Sequence, residues 1–417
     1  MVLPGSGGEC DDLGMGAGTG RARKSRGRAW VSAAATLAIG CSSARPGDDD
    51  GGGDGDAGAD LDGDVGADGD AGPPACEEWS PTSWSVDVLQ AEASAANNLV
   101  VDASGVAHAT FMTWWEDVRY ARHEAGAWSL ETAFRGGHPG RGIAVDREAT
   151  VHFAAGRWVP GGPGNQTLFH VSNPGGQWTS EEIGMAYTGL AFGRSARGVA
   201  GVAYGGPHGE LLVSSNEGGT WSETTVDADA DWCCDNVTLA VDGGGSLHVA
   251  YFATLRELRY ATDASGAWEV STVGLTDWGG VGGELHPRLI LDSNGRAHVA
   301  YEAPGLIVTA ILEGGQVVDE TPHALDLPEG TVVAFALELP DVVHVAGVGF
   351  GDPPGMLRYA TDRLGAFEWI DVAEVEDFFA PPLLGVDRAS SPWILYTAMA
   401  NGAQSVIATA PDGPWCP

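Results

Sequence analysis

The chain has 417 residues, with 63 glycines, 23 prolines and 15 tryptophans, and its acidic side chains outnumber the basic ones 57 to 21, for a formal charge of −36. That balance excludes recognition of nucleic acid through a Lys/Arg surface. A hydrophobic fraction of 43% excludes wholesale disorder, and the Gly and Pro content points to short strands and turns rather than long helices.

Residues 21–28 (RARKSRGR) are basic, and residues 29–40 (AWVSAAATLAIG) are small and apolar. A charged region followed by an apolar stretch too short to span a ~30 Å hydrocarbon layer predicts a secretory signal over residues 1–40, with Met15 as an alternative start. The run Leu37-Ala38-Ile39-Gly40-Cys41 resembles the bacterial lipobox, with Ala38 where Leu is usual. The resemblance implies acylation of Cys41, and Ser42 after it implies delivery to the outer membrane or cell surface. Residues 41–75 form the tether: ten aspartates among Gly and Ala between residues 46 and 74, with no aromatic, repel one another and bury too little surface to fold. Asp60, Asp62 and Asp64 have the opening spacing of a calcium loop. Its glycine falls at 66 and Ala71 stands in place of the closing Glu, so calcium is the lesser alternative and no other cofactor is expected.

From residue 82 onward the chain repeats itself. The clearest copy, residues 237–270, reads as short strands bounded by Gly and Asp turns, the last opening with Trp. With His248 as marker, the equivalent positions are His108, His152, Gly201, His298, His344 and Trp393, at spacings of 44 to 50 residues. Six residues before each marker stand Asp102, Asp146, Ser195, Asp242, Asp292, Glu338 and Asp387. These repeats predict an all-β, seven-bladed β-propeller of four-stranded blades over residues 76–417. The last repeat lacks its fourth strand, and Trp84-Ser85-Val86-Asp87-Val88 has the pattern to supply it from the other end, closing the ring. Cys76 and Cys416 flank that seam and predict a disulfide; Cys233 and Cys234 are then left with each other as a vicinal pair, with intermolecular pairing as the rival.

The segment Ser214-Ser215-Asn216-Glu217-Gly218-Gly219-Thr220-Trp221 resembles the Asp-box S-x-D-x-G-x-T-W, with Asn in place of Asp, and weaker versions end at Trp178, Trp268 and Trp128. The chain is therefore similar to the sialidase-like, Asp-box (BNR repeat) β-propellers. The resemblance implies a turn capped by a side-chain oxygen and a Trp packed between blades. It does not imply activity: Arg141 and Arg288 find no third arginine for a carboxylate-clamping triad, and no Tyr–Glu nucleophile pair can be placed.

Candidate ligand residues fall on the loops between second and third strands and on the links between blades: Trp114, Trp115, Trp158, His138, Arg141, Asp231, Trp232, Asp235, Trp278, His286 and Arg288. Aromatic faces beside charged groups suit sugar rings and their hydroxyls. The recurrent marker histidines are expected to serve interblade packing or hydrogen bonding. His138 and His286, with Arg141 and Arg288, are the set that could hold an anion or a metal near the funnel. The favoured function is a non-catalytic, lipid-anchored surface protein binding a glycan or a protein. The alternative is a polysaccharide-active hydrolase or lyase, which needs a carboxylate pair, with Asp231, Asp235 and Glu284 as candidates.

Overall fold

The computed structural model describes residues 83–159, 165–230, 236–253, 257–275, 287–303, 306–325, 331–339, 342–349, 355–363, 365 and 367–412. The chain divides into two units, Met1–Ala71 and Gly72–Pro417, and every described residue lies in the second. Cys41, Cys76, Cys233, Cys234 and Cys416 lie outside the described residues, as do Asp231, Trp232, Asp235, Trp278, Glu284 and His286.

The described residues are almost entirely strands. After β1 (Trp84–Ala91) come β2–β5 (Ala93–Val101, Ala107–Thr113, Val118–Glu124, Ala127–Phe134), then β6–β9 (His138–Val145, Val151–Trp158, Gln166–Ser172, Thr179–Ala186). Next are β10–β13 (Thr188–Arg194, Ala200–Gly205, Leu211–Ser215, Ser222–Asp227) and β14–β17 (Val237–Val241, Leu247–Phe252, Glu257–Thr262, Glu269–Leu275). β18–β21 follow (Arg288–Leu291, Ala297–Ala303, Leu306–Glu313, Gln316–Ala324), then β22–β24 (Thr331–Glu338, Val342–Gly349, Gly355–Thr361) and β25–β27 (Ile370–Val386, Pro392–Ala400, Ala403–Pro411). Among the described residues no helix is long and apolar enough to cross a membrane.

Three antiparallel meanders, β2–β5, β14–β17 and β18–β21, stand as separate four-stranded sheets. β6–β9 and β10–β13 are joined through one parallel pair, Ala191 with Arg141, and β22–β27 with β1 form the remaining sheet. Strand β25 pairs with β24 through its first half and with β26 through its second. The first strands of consecutive meanders lie side by side, β2 on β6, then β10, β14, β18, β22 and β25, and β25 lies back against β2. The fold is a β-propeller. Strand β1 pairs with β27 from Trp84–Pro411 to Ala91–Ser405, which is the pairing expected of Trp84–Val88 and covers an edge that would otherwise be open.

The buried apolar side chains gather between consecutive meanders. One cluster joins Val118, Tyr120 and Phe134 to Phe153 and Val171, and another joins Leu89, Phe111 and Ala121 to Leu395 and Val406. The repeated polar residues instead tie each meander together internally. Five of the turns between first and second strands close on an aspartate: Asp102 Oδ1 accepts from the backbone N–H of Ser104 and Val106 at 2.8 and 3.0 Å, and Asp387 Oδ1 from Ala389 and Ser391, both at 2.8 Å. The second oxygen faces the histidine six residues on, at 3.1 Å for Asp102–His108, 2.9 Å for Asp146–His152 and 2.9 Å for Glu338–His344. In two other copies the approach is longer, 3.7 Å for His248 and 3.6 Å for His298. The other ring nitrogen meets a tyrosine hydroxyl of the third strand: His108 with Tyr120 at 2.6 Å, His248 with Tyr260 at 2.5 Å, His344 with Tyr359 at 2.6 Å. Burial is the largest influence on Asp102 and acts upward, but hydrogen bonds from Ser104, Val106 and His108 outweigh it and hold the carboxyl at about 2. The marker histidines serve hydrogen bonding, as their recurrence predicts, and do so within their own meander.

The turns ending in Trp behave alike. Asn173, Asn216, Asp263 and Asp362 accept from the N–H of Val151, Ala200, Leu247 and Val343 at 2.6 to 2.8 Å, pinning each turn to the start of the second strand. The tryptophans then pack back on the preceding meander: Trp178 on Tyr120 (5.2 Å between ring centroids), Trp221 on His170 (5.5 Å) and Trp128 on Trp393 (5.9 Å).

Candidate functional site

Two polar regions stand apart from this stitching, a rim and a central cavity. The rim is built on the tight β3–β4 connection, where Thr113 N–H donates to Asp117 O (3.0 Å) and Glu116 takes φ of 59°. So short a turn cannot reach back to the core, and Trp114 and Trp115 are left 58% and 80% exposed. The link from β5 to β6 passes beneath: Gly137 N–H donates to Glu116 O at 2.6 Å, and a Cβ on Gly137 would stand 2.5 Å from Gly156 O. Arg157 clamps this link from the other side. Its guanidinium donates to Gly136 O (3.2 Å) and Arg135 O (2.9 Å) while lying over the rings of Phe134 and Phe169 at 4.7 and 4.8 Å. Trp158 follows at 51% exposure, its ring 5.2 Å from that of His138. The structure therefore brings Trp114, Trp115, His138 and Trp158 into one neighbourhood, with exposed Arg135 reaching Asp117 at 3.6 Å.

The central cavity has a volume of about 190 Å³ and is walled by the first strands, with Asn97, Arg141, Arg288, Glu302 and Phe335 among its lining. Arg141 owes its place to a bulge in β6, where the register slips between Pro139 and Ile143. Buried Asn98 holds the bulge, donating from Nδ2 to Gly140 O (2.7 Å) and accepting at Oδ1 from Gly142 N–H (2.5 Å). Only glycine fits at 142: its φ is +92°, and a Cβ there would stand 2.2 Å from Phe192 O. Arg288 Nε donates to Phe335 O on β22 at 3.0 Å, and among the described residues no carboxylate pairs with it. Burial and the Arg141 charge lower Arg288 to about 10. Asn97 sits at a register slip of β2, and its Oδ1 is buried with no partner. Among the described residues Glu302, at the end of β19, has no ion pair, and burial pushes its carboxyl up to about 7.

Of the residues proposed from sequence, Arg141 and Arg288 thus meet in the cavity, while Trp114, Trp115, Trp158 and His138 gather on the rim. Asn97 and Glu302 were not proposed. The signal for Glu302 was available: four residues past the marker it stands where the other repeats carry Met112, Gly156, Gly205, Phe252, Val348 and Thr397. No group of three metal-ligating side chains occurs among the described residues.

No protein-family model and no curated protein matches the chain. Solved structures do. AofleA from Arthrobotrys oligospora has 13% identity over 70% of this chain and 90% of its own, with a TM-score of 0.46. The fucose-specific lectin from Aleuria aurantia has 14% identity over 68% and 97%, at 0.46. A polysaccharide lyase of family PL25, an ulvan lyase, has 12% identity over 76% and 94%, at 0.48. At these values the likenesses say nothing of this chain's ligand.

Proposed function

We propose that the chain is an exported lipoprotein, anchored through Cys41 and held off the membrane by residues 41–75, whose seven four-stranded blades close into a sialidase-like, Asp-box propeller with a non-catalytic face that binds a glycan or a protein. The disulfide Cys76–Cys416 and the vicinal pair Cys233–Cys234 belong to the same proposal. The observation that carries the binding function is the exposure of Trp114, Trp115 and Trp158 around His138 on a rim braced by Arg157. Each of the three leaves about half or more of an aromatic surface in water, where stacking on a sugar ring would bury it. Protein ligands compete for the same surface. A glycan array probed with the full chain, with and without calcium, tests the assignment. Binding that is lost in Trp114→Ala and Trp158→Ala supports it, and silence across the array sinks the word glycan.

Glu302 favours a second function, acid–base action on a polysaccharide, because a carboxyl that titrates near neutrality is suited to moving protons. It is the sole carboxylate among the described residues of the cavity wall, so a carboxylate-pair hydrolase finds no support in them. Release of new reducing ends from an acidic polysaccharide, absent in Glu302→Gln, is the outcome expected of this alternative.

A further inference from the structure

We infer that the rim around Trp114 and Trp115 selects a sugar that carries a free amine, an unacetylated amino sugar, by taking its ammonium between indole faces and carboxylates. This rests on the glycan function proposed above and names the class of sugar.

Charge decides the class. Three carboxylates are placed at the two exposed indoles. Glu116 and Asp117 follow Trp115 directly, and Glu92, in the link between β1 and β2, accepts at its carbonyl from Trp114 N–H at 3.5 Å. Glu92 and Glu116 are exposed. Among the described residues the one cation that meets any of the three is Arg135, 3.6 Å from Asp117 with its side chain 79% exposed, a contact that water screens. The neighbouring guanidinium groups are committed elsewhere. Arg157 donates to Gly136 O and Arg135 O over the rings of Phe134 and Phe169, and Arg119 donates to Thr132 Oγ1 at 2.8 Å. Positive charge on the rim is thus turned into the protein, while negative charge faces water. Other exposed carboxylates do find a guanidinium: Glu124 meets Arg122 at 3.0 Å and Asp371 meets Arg358 at 2.9 Å.

The backbone holds the rim glutamates at a cost. Both have φ of 59°, in the left-handed region where the turns of this chain mostly carry glycine. A face of indole attracts a cation through its quadrupole, and adjacent carboxylates add to that attraction. A second group of acceptors lies at Trp158. Gln166, only 2% exposed and paired across strands with Trp158, has its Oε1 buried without a partner, and so has His138 its Nε2. Both atoms crowd Gly156, where a Cβ would stand 2.0 and 2.9 Å from them, so the sheet leaves no side chain between them. An amide oxygen can only accept, and an ammonium can only donate; an amino sugar supplies donors where the rim offers acceptors. The formal charge of −36 acts in the same direction, enriching cations at the surface. N-acetylation removes the charge, and a neutral sugar keeps the stacking but gains nothing from Glu92 or Glu116.

The test is calorimetric titration of the full chain at pH 6, where a sugar amine is protonated, with a glucosamine trisaccharide, the same trisaccharide fully N-acetylated, and trilysine. The glucosamine trisaccharide should bind about tenfold or more tighter than its acetylated form. Raising salt from about 50 mM to about 500 mM should weaken it several-fold and leave the acetylated form unchanged. The double variant Glu92→Gln, Glu116→Gln should lose about tenfold for the amine and nothing for the amide. Trilysine carries the charge without a pyranose face and should bind more weakly than the glucosamine trisaccharide. Should the double variant fail to fold, Glu116→Gln and the salt series decide. An acetylated form that binds as tightly, indifference to salt or to the glutamine variants, trilysine as good as the sugar, or no binding of the glucosamine trisaccharide overturns the inference. A neutral glycan bound on the array and lost in Trp114→Ala and Trp158→Ala, with no preference for the amine, would leave the glycan function standing and remove only the charge from it.

Discussion

The blades and the centre of this propeller are built from the same residue types, and they use them oppositely. Within a blade, His344 sits with Glu338 at 2.9 Å and Tyr359 at 2.6 Å, fully buried, and the histidine–tyrosine pair recurs at His108 and His248. At the centre, among the described residues, Arg288 meets no carboxylate, Glu302 no cation and Asn97 Oδ1 no donor, and none of the three recurs. An Asp–His–Tyr chain looks catalytic when met alone. Repetition and mutual satisfaction mark it as architecture, since buried polar groups are retained cheaply only when paired.

Mutation should separate the two regions by size of effect. The largest loss is expected from the apolar part of a seam: Phe153→Ala, at a fully buried site beside Trp178, should cost about 4 kcal/mol in denaturant unfolding. Next comes the polar network within a blade. His344→Ala leaves Glu338 and the Tyr359 hydroxyl without their shared partner and should cost about 3 kcal/mol. A loss as small as that of an exposed substitution would break the contrast, because the network would then be ornamental.

Glu302→Gln should act in the reverse direction. Burial keeps this carboxyl protonated up to about 7, against an ordinary glutamate value of 4.5. Between those values the folded chain holds a proton that the unfolded chain has shed, so stability falls as pH rises across the window. The glutamine variant escapes that loss. It should melt above the wild type at pH 8 and with it near pH 4.5. A variant that melts lower at pH 8 would show that the ionised carboxylate is paired with a guanidinium, and the centre would then be as satisfied as the blades.

Much of this was legible in the sequence because the repeat encodes it. The six-residue interval from Asp102 to His108 is the length of a turn that the aspartate closes with one oxygen while offering the other to the histidine. The match of Trp84–Val88 to the strand after Trp268 foretold the pairing of β1 with β27. The centre was only half legible. Arg141 and Arg288 stood out as charged residues entering first strands, yet the bulge that Asn98 and Gly142 impose on β6 depends on contacts 44 residues apart. Glu302 was passed over because a glutamate at the end of a strand usually reaches solvent, and only the ring's closure puts the end of β19 on the wall of a cavity.

The smallest effect on stability is expected where the effect on binding is greatest. Trp114 and Trp115 touch no buried cluster, and the turn that carries them is closed by backbone hydrogen bonds of Thr113, Glu116 and Asp117 that no side chain at 114 or 115 supplies. The double variant Trp114→Ala, Trp115→Ala should therefore unfold within about 0.5 kcal/mol of the wild type. Truncating two exposed aromatics removes most of the apolar area that a sugar could cover on this rim, so its glycan signal should fall to background on the array. A double variant that binds as before but unfolds early would invert the comparison: the rim would be packing, and the search for a ligand would move wholly to the arginines of the cavity.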